Sequence, residues 1–408
     1  MAKSDDGKAK SRRPPNTAFR QQRLKAWQPL ATPKTIIPLY IGIGVVTAII
    51  GALLLYSSRL VKVIEIDYTN CYTDAPTTSS NIERMKSSDV YSFFQGNSSE
   101  INAQWYRTKN VTHDYNGFEV GNLTNCTIQF ETPVDMKGVH MYYFLNGWYQ
   151  NHRSYVKSFF ADQLAGKDVS HTQVKNSDCS PLDINGTQSI YPCGLIANSL
   201  FNDTIGWPEQ IGVSGSLEER TFQMNDTNIA WDGDLELYKD TPFRDSGDYS
   251  SIVPPPNWTP RYPDGLYSKD HPPPNLKEDQ HFIVWMRTAA LPAFYKLYAT
   301  PATSDPMPAG TWRVNITDNF HTADYNVRKK LVLTTVSQYT GGKNDFLGIA
   351  FLAVAGFCIV LALIKLVLNW VKPRRLGDHT YLTWNKEQVR KGKDREGQAI
   401  GMSTARDL

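Results

Sequence analysis

A chain of 408 residues, 41% hydrophobic and 20% charged, can build a substantial core, and a formal net charge of +3 gives it no chain-wide basic surplus for nucleic acid. The charge is unevenly placed. Residues 1–34 carry nine Lys/Arg against two Asp, net +7, and residues 372–408 carry nine against five acids, net +4, so the stretch between them is near −8.

In chain order, residues 1–34 form a basic tail and residues 35–57 a membrane-spanning helix built on the apolar run Ile36–Tyr56. About twenty apolar residues suffice to cross the hydrocarbon of a bilayer as a helix. The run is too long and starts too late for a signal peptide, and no small-residue cleavage site follows it, so it reads as a retained anchor. Pro38 is expected in the first turn, where its missing N–H costs little. Residues 58–345 form the middle, and residues 346–371 a second span free of acids. Lys365, six residues from its end, can snorkel to the headgroups, and Cys358 reads as a small apolar residue. Residues 372–408 form a second tail. Basic residues beside spans stay in the cytoplasm. Both termini are therefore expected there, and the middle in the lumen or outside the cell.

The middle carries nine N-x-S/T sequons, at Asn97, Asn110, Asn122, Asn125, Asn185, Asn202, Asn225, Asn257 and Asn315, as a glycosylated surface would. Asn122 and Asn125 are three apart, Asn125 has Cys126 as its middle residue, and Asn257 is followed by Trp258 and Pro260, so reduced occupancy is expected there. Cys71, Cys126, Cys179 and Cys193 are even in number and allow three pairings. Cys71–Cys126 with Cys179–Cys193 is favoured, because the second pair is close in sequence across the turn-rich stretch SPLDINGTQSIYP.

Period-two alternation predicts strands at Thr311–Thr317, Thr127–Glu131, Val139–Leu145, His281–Arg287 and Lys330–Ser337. In the first of these Asn315 falls on the wet face. A helix is predicted over Asn151–Leu164. The stretch Ile252–Pro274 holds eight prolines and cannot be regular, but Trp258, Tyr262 and Tyr267 would pack it down. The expected class is a membrane protein of α and mainly β structure: two transmembrane helices flanking a large antiparallel β-sandwich ectodomain.

Catalytic signatures are lacking: no HExxH, G-x-S-x-G, Walker loop or G-x-G-x-x-G occurs. Asp232 and Asp234 could serve a membrane-anchored hydrolase, but D-G-D is more often a turn. His140, His152 and His171 are not spaced as metal ligands. With two spans and no ATP motif, the design suits a subunit that docks on a multi-span partner. The alternative is a membrane-anchored glycoprotein for adhesion or carbohydrate binding. Gly44 and Gly51 on the first span, with Gly348 and Gly356 on the second, would allow close helix approach to that partner. Arg20, Arg23 and Trp27, before the first span, would contact acidic cytoplasmic loops or anionic headgroups.

Several stretches carry a resemblance: FRQQRLKAWQP (Phe19–Pro29), IDYTNC (Ile66–Cys71), YQNHRSYVKS (Tyr149–Ser158), PCGLIANSLFNDT (Pro192–Thr204), TWRVNITDNF (Thr311–Phe320) and GGKNDFLGIA (Gly341–Ala350). In these, and across almost its whole length, the chain resembles the cell division control protein 50 / ligand-effect modulator family. Its members are accessory (beta) subunits of type-IV P-type ATPases, the phospholipid flippases. The resemblance implies a non-catalytic subunit in a 1:1 heterodimer with the ATPase, needed for folding, stability and exit from the endoplasmic reticulum. It implies lipid transport to the cytosolic leaflet in Golgi, endosome or plasma membrane. It also implies an asymmetric antiparallel β-sandwich ectodomain and the pairs Cys71–Cys126 and Cys179–Cys193. No cofactor or metal is implied; N-linked glycans and phospholipid at the partner interface are the expected non-protein components. Catalytic residues belong to the partner.

Overall fold

The computed structural model describes residues 16–24, 32–94, 97–98, 100–115, 118–212, 220–322, 325–337 and 341–373. In chain order its main elements are α1 (Pro33–Leu60), β1 (Val63–Asp67), β2 (Val90–Phe94), β3 (Ala103–Tyr115), β4 (Phe118–Thr132), β5 (Val139–Asn146) and β6 (Glu209–Ile211). Then follow α2 (Gln280–Met286), β7 (Ala293–Pro301), β8 (Gly310–Asp318), β9 (Arg328–Thr335) and α3 (Asp345–Val371). The chain divides into two compact units: the described parts of Met1–Ala52 with Ile349–Leu408, and Leu53–Gly348.

The first unit holds most of α1 and α3, both long and apolar enough to cross a membrane. Helix α1 begins earlier than its apolar run, with Thr32 accepting from Thr35 and Ile36 N–H and Pro33 at the first helical position. Pro38 therefore lies in the second turn, a correction to its expected place, where it removes one helical hydrogen bond. Along α3 the small residues Ala355, Cys358 and Ala362 are buried. They recur on one face at the spacing of helical turns.

The second unit is built on two antiparallel sheets. The first has the order Met224–Asn225, β7, β5, β9, β1, β2, Asn97–Ser98. The second has the order Arg220–Thr221, β6, β8, β4, β3, Glu83–Arg84, with Thr204–Ile205 added beside β8. Alternation decides which side chains meet between them. In β1 and β9, Ile64 lies opposite Leu333 and Ile66 opposite Leu331. In β8 and β4, Trp312 lies opposite Phe130, Val314 opposite Ile128 and Ile316 opposite Cys126. All are buried in one shared cluster. Their partners in alternation, such as Arg313 and Asn315, face the other way.

Two local expectations are corrected. The run His281–Arg287 is not a strand: His281–Met286 lie in α2 with Arg287 as its C-cap, and the first turn is capped by Asp279 accepting from Phe282 N–H at 2.9 Å. Phe282, Ile283, Trp285 and Met286 are all buried, the i, i+1, i+3, i+4 set of a helix face, so period two was the wrong reading of a short apolar run. The single helix expected over Asn151–Leu164 is two, Arg153–Lys157 and Ala161–Leu164. The break falls where Gly194, at φ +104°, passes so close that a Cβ there would sit 2.1 Å from the Ser158 carbonyl oxygen. Ser158 Oγ also accepts from Leu195 N–H at 2.8 Å. The proline-rich stretch packs down through Trp258 and Tyr267, both buried, with Trp258 Nε1 donating to the Ala197 carbonyl at 3.0 Å.

Candidate functional site

Two polar constructions stand out in the β-rich unit, one where the spans begin and one in the core. At the first, the last turn of α1 meets the first turn of α3. Ser58 Oγ donates to Asp345 Oδ1 at 2.5 Å and accepts from Asn344 N–H at 3.0 Å. The Ser57 and Ser337 hydroxyls lie 2.5 Å apart. Lys343 pairs with Asp345 at 3.0 Å while its ammonium stacks 4.3 Å from the Phe93 ring centre. An aspartate as the first residue of α3 also suits the positive end of the helix dipole. Beneath these contacts Gly348 lets the backbones touch: a Cβ there would stand 2.8 Å from Leu55 N. The result is a clamp that ties the adjoining ends of the two spans together.

The second construction is a buried charge cluster. Lys329, at the start of β9 in one sheet, is 0% exposed. Its Nζ donates to Asp203 Oδ2 at 2.8 Å, to Asp318 Oδ1 at 2.6 Å and to the Phe320 carbonyl at 2.8 Å. Asp318 ends β8 in the other sheet, so the lysine joins the two. Asp203 also accepts from Tyr68 Oη at 2.9 Å and from Asn319 and Phe320 N–H at 2.7 and 2.6 Å. Among the described residues, Asp318 Oδ2 is buried without a hydrogen-bond partner. Burial opposes the Lys329 charge, but Asp203 and Asp318 outweigh it and its pKa ends above the ordinary lysine value. Burial pushes the Asp318 carboxyl up, with Lys329 opposing. Burial likewise holds the Tyr68 hydroxyl well above the usual tyrosine range. Such a cluster is poor as a source of net stability but costly to break, because each remaining charge would be buried alone. Its members are 11 to 261 positions apart, and no sequence pattern marks Lys329 as buried; the only hint is that Tyr68, Asp203 and Asp318 lie inside three of the stretches that carry the resemblance.

Lys296 on β7 is a second buried amine. Its Nζ donates to the carbonyls of Val284 at 2.8 Å and of Arg287, capping the C-terminal end of α2. Burial, then the Arg287 charge, pushes its pKa down to about 7.

The residues singled out in the sequence fall as follows. Cys71 is bridged to Cys126 with Cα atoms 6.1 Å apart, and Cys179 to Cys193 at 5.6 Å. The first bridge fastens the turn after β1 to β4 of the opposite sheet. Asn110, Asn122, Asn185 and Asn257 are exposed, and Asn125, Asn202, Asn225 and Asn315 are half-buried. The Asn97 side chain lies outside the described residues. Asn315 Oδ1 accepts from Thr127 Oγ1 at 2.9 Å, across the β8–β4 pair. Arg20 and Arg23 lie in an exposed turn; Trp27 lies outside the described residues.

The span glycines meet neighbours within the chain itself. Gly44 meets Ala355, Cys358 and Ile359 of the chain's own α3, with a Cβ position 3.2 Å from Ile359 Cγ1. Gly348 meets Leu55 of its own α1. Gly51 is buried one heptad after Gly44. Close approach is thus made within the chain, and Gly356, with nothing within 4 Å, is the one of the four left facing outward.

Asp232 and Asp234 open a single helical turn, Asp232–Leu235. Asp234 pairs with Arg287 at 3.0 Å, and the guanidinium stacks 4.0 Å over the Trp231 ring. Among the described residues no group of three or more His, Cys, Asp or Glu could hold a metal ion.

The family model described as LEM3 (ligand-effect modulator 3) family / CDC50 family matches residues 54–375. A Chaetomium thermophilum protein named phospholipid-transporting ATPase accessory subunit CDC50 is 40% identical over 400 residues, covering 94% of this chain and 95% of its own. The Saccharomyces cerevisiae protein named phospholipid-transporting ATPase accessory subunit CRF1 is 38% identical over 381 residues, covering 93% and 91%. Cell cycle control protein 50A of Bos taurus is 35% identical over 374 residues, covering 89% and 91%.

Proposed function

The chain belongs to the LEM3 / CDC50 family, and on that premise we propose that it is the non-catalytic accessory subunit of a phospholipid-transporting P-type ATPase. The observation that carries this is agreement over nearly the entire chain, spans included, with relatives named as such subunits. Physical features support it. The two spans spend their small buried residues on each other, while Val46, Ile49, Phe357 and Val360 point outward. That leaves apolar helix faces for lipid or for a multi-span partner. The clamp at Ser58, Asn344 and Asp345 would hold both spans in one docking geometry.

Both tails lie in the cytoplasm and the sandwich lies in the lumen or outside the cell. The subunit forms a 1:1 complex, supports folding and exit of the ATPase from the endoplasmic reticulum, and serves lipid flipping to the cytosolic leaflet in Golgi, endosome or plasma membrane. Its sequons carry N-linked glycans, phospholipid fills the partner interface, and Arg20, Arg23, Trp27 and outward-facing Gly356 contribute contacts. The test is purification of the tagged full chain in mild detergent. A large multi-span ATPase in near-equal amount, whose lipid-stimulated turnover falls when the chain is omitted, is the expected result. Recovery of the chain alone from a host expressing its ATPases would refute it. For the basic turn, Arg20→Ala with Arg23→Ala should lower co-purification or turnover; unchanged values would reject docking there.

A further inference from the structure

A cavity of about 430 Å³ opens in the β-rich unit between the end of β3, the loop after β8 and the proline-rich stretch. That is within the roughly 300–1,000 Å³ span of ligand pockets. Its walls are aromatic, with Trp148, Trp258, Phe320 and Tyr325 among them. Tyr325 is 71% exposed and meets Trp148 edge-on, ring centres 6.5 Å apart. Between the rings stand amide and guanidinium groups. Asn319 Nδ2 donates to Tyr115 Oη at 2.7 Å and to the Asn202 carbonyl at 3.1 Å. Arg261 stacks over Tyr115 at 5.2 Å and Trp258 at 5.8 Å.

The same cavity is lined by two sequon asparagines, Asn202 and Asn257. Resting on the reading that the sequons carry N-linked glycans, we propose that it is the seat of the first N-acetylglucosamine units of this chain's own glycan, attached at Asn202. The chemistry matches. A pyranose presents a C–H face that stacks on an aromatic ring, as Trp148 and the exposed Tyr325 offer here, while its acetamide and hydroxyls suit a wall that also carries amide and guanidinium groups. Asn202 is the better anchor of the two. It is half-buried, with its backbone held by Asn319. Asn257 is exposed and followed by Trp258 and Pro260. In the attachment, Asn202 Nδ2 bonds to the anomeric C1 of a lipid-diphosphate oligosaccharide donor. The C1–O bond to the diphosphate breaks and Nδ2 gives up one proton. The seated sugar would splint the loop after β8 to the proline-rich stretch, next to Asp203 and the buried lysine.

The experiment uses the intact glycoprotein with whatever co-purifies, treated under native conditions with a peptide N-glycosidase and followed site by site by glycopeptide mass spectrometry. Asn202 is expected to be occupied and to lose its glycan about ten-fold or more slowly than exposed Asn185, the ratio that ~1.4 kcal/mol of seating gives. Tyr325→Ala, which removes an exposed ring, should bring Asn202 to the rate of Asn185. A bare Asn202, or equal rates at the two sites in the unaltered protein, overturns the proposal. To separate the chain's own glycan from one on another molecule, N,N′-diacetylchitobiose is titrated onto the unaltered protein and onto Asn202→Gln. Binding confined to Asn202→Gln supports an occupied seat. Equal binding to both overturns the self-glycan assignment.

Discussion

Replacing Lys329 by Met tests the core most directly. The methionine retains most of the volume but withdraws three N–H donations from a site where Lys329, Asp203 and Asp318 are all buried. The two carboxylates fare differently. Asp203 keeps Tyr68 Oη and two backbone N–H donors. Asp318 loses its donor at Oδ1, and among the described residues it has none at Oδ2 and retains only His321 Nδ1 at 3.8 Å. Removing one partner of a buried ion pair costs about 3–5 kcal/mol. At about 2 °C per kcal/mol for a domain this large, the melting temperature should fall by roughly 6–10 °C.

The loss has a pH signature. The Asp318 pKa is already raised by burial, and without Lys329 it rises further. A carboxyl whose folded pKa exceeds its unfolded value contributes stability that is full below the unfolded value and is lost as pH rises through the folded one. The deficit of Lys329→Met should therefore be smaller near pH 5 than near pH 8. Asp318→Asn added to Lys329→Met should recover part of it at the higher pH. The assay is thermal unfolding of the purified protein in detergent at both pH values, read by intrinsic fluorescence. A melting temperature within 2 °C of the unaltered protein at pH 8, or a deficit that grows toward acid, would refute the reasoning.

Other expectations can be measured in the same preparation. Lys296 titrates near pH 7 when folded against an ordinary lysine value when unfolded, so the unfolded chain binds more protons above pH 7 and stability rises with pH there. Between pH 7 and 9 the unaltered protein should gain roughly 2 kcal/mol relative to Lys296→Met, read by denaturant titration; parallel pH profiles would contradict this. In the spans, Gly348→Ala should cut the yield of monodisperse protein sharply, Gly44→Ala less, and Gly356→Ala not at all, following the Cβ distances to Leu55 and to Ile359 and the open space at Gly356. Size-exclusion profiles that rank these three otherwise would count against the close-packed seam. Loss of Cys71–Cys126, which closes a 55-residue separation, should cost about 4 kcal/mol by chain entropy, and loss of Cys179–Cys193, separation 14, about 3 kcal/mol. Paired serine variants compared by thermal unfolding check the order.

What the sequence by itself determined was whatever depends on local pattern. Apolar length defined the two helices, and alternation in TWRVNIT and VHMYYFL identified strands β8 and β5. Proline density marked Ile252–Pro274 as irregular, since a missing N–H and a locked φ act wherever they occur. Long, specific stretches such as PCGLIANSLFNDT carried the family. Where a pattern was short or a neighbour intervened, local reading failed. HFIVWMR suits a strand or a buried helix equally, and the cap at Asp279 with its tertiary burial chose the helix. Only the tertiary structure decided that Gly44 and Gly348 serve the chain's own helix pair. It also decided that Asp203 and Asp318 converge on Lys329 and that Asn202 and Asn257 share an aromatic cavity. These are meetings of residues far apart in the chain. They arise from how two sheets stack and two helices cross, and burial acts on side chains only once those surfaces have closed.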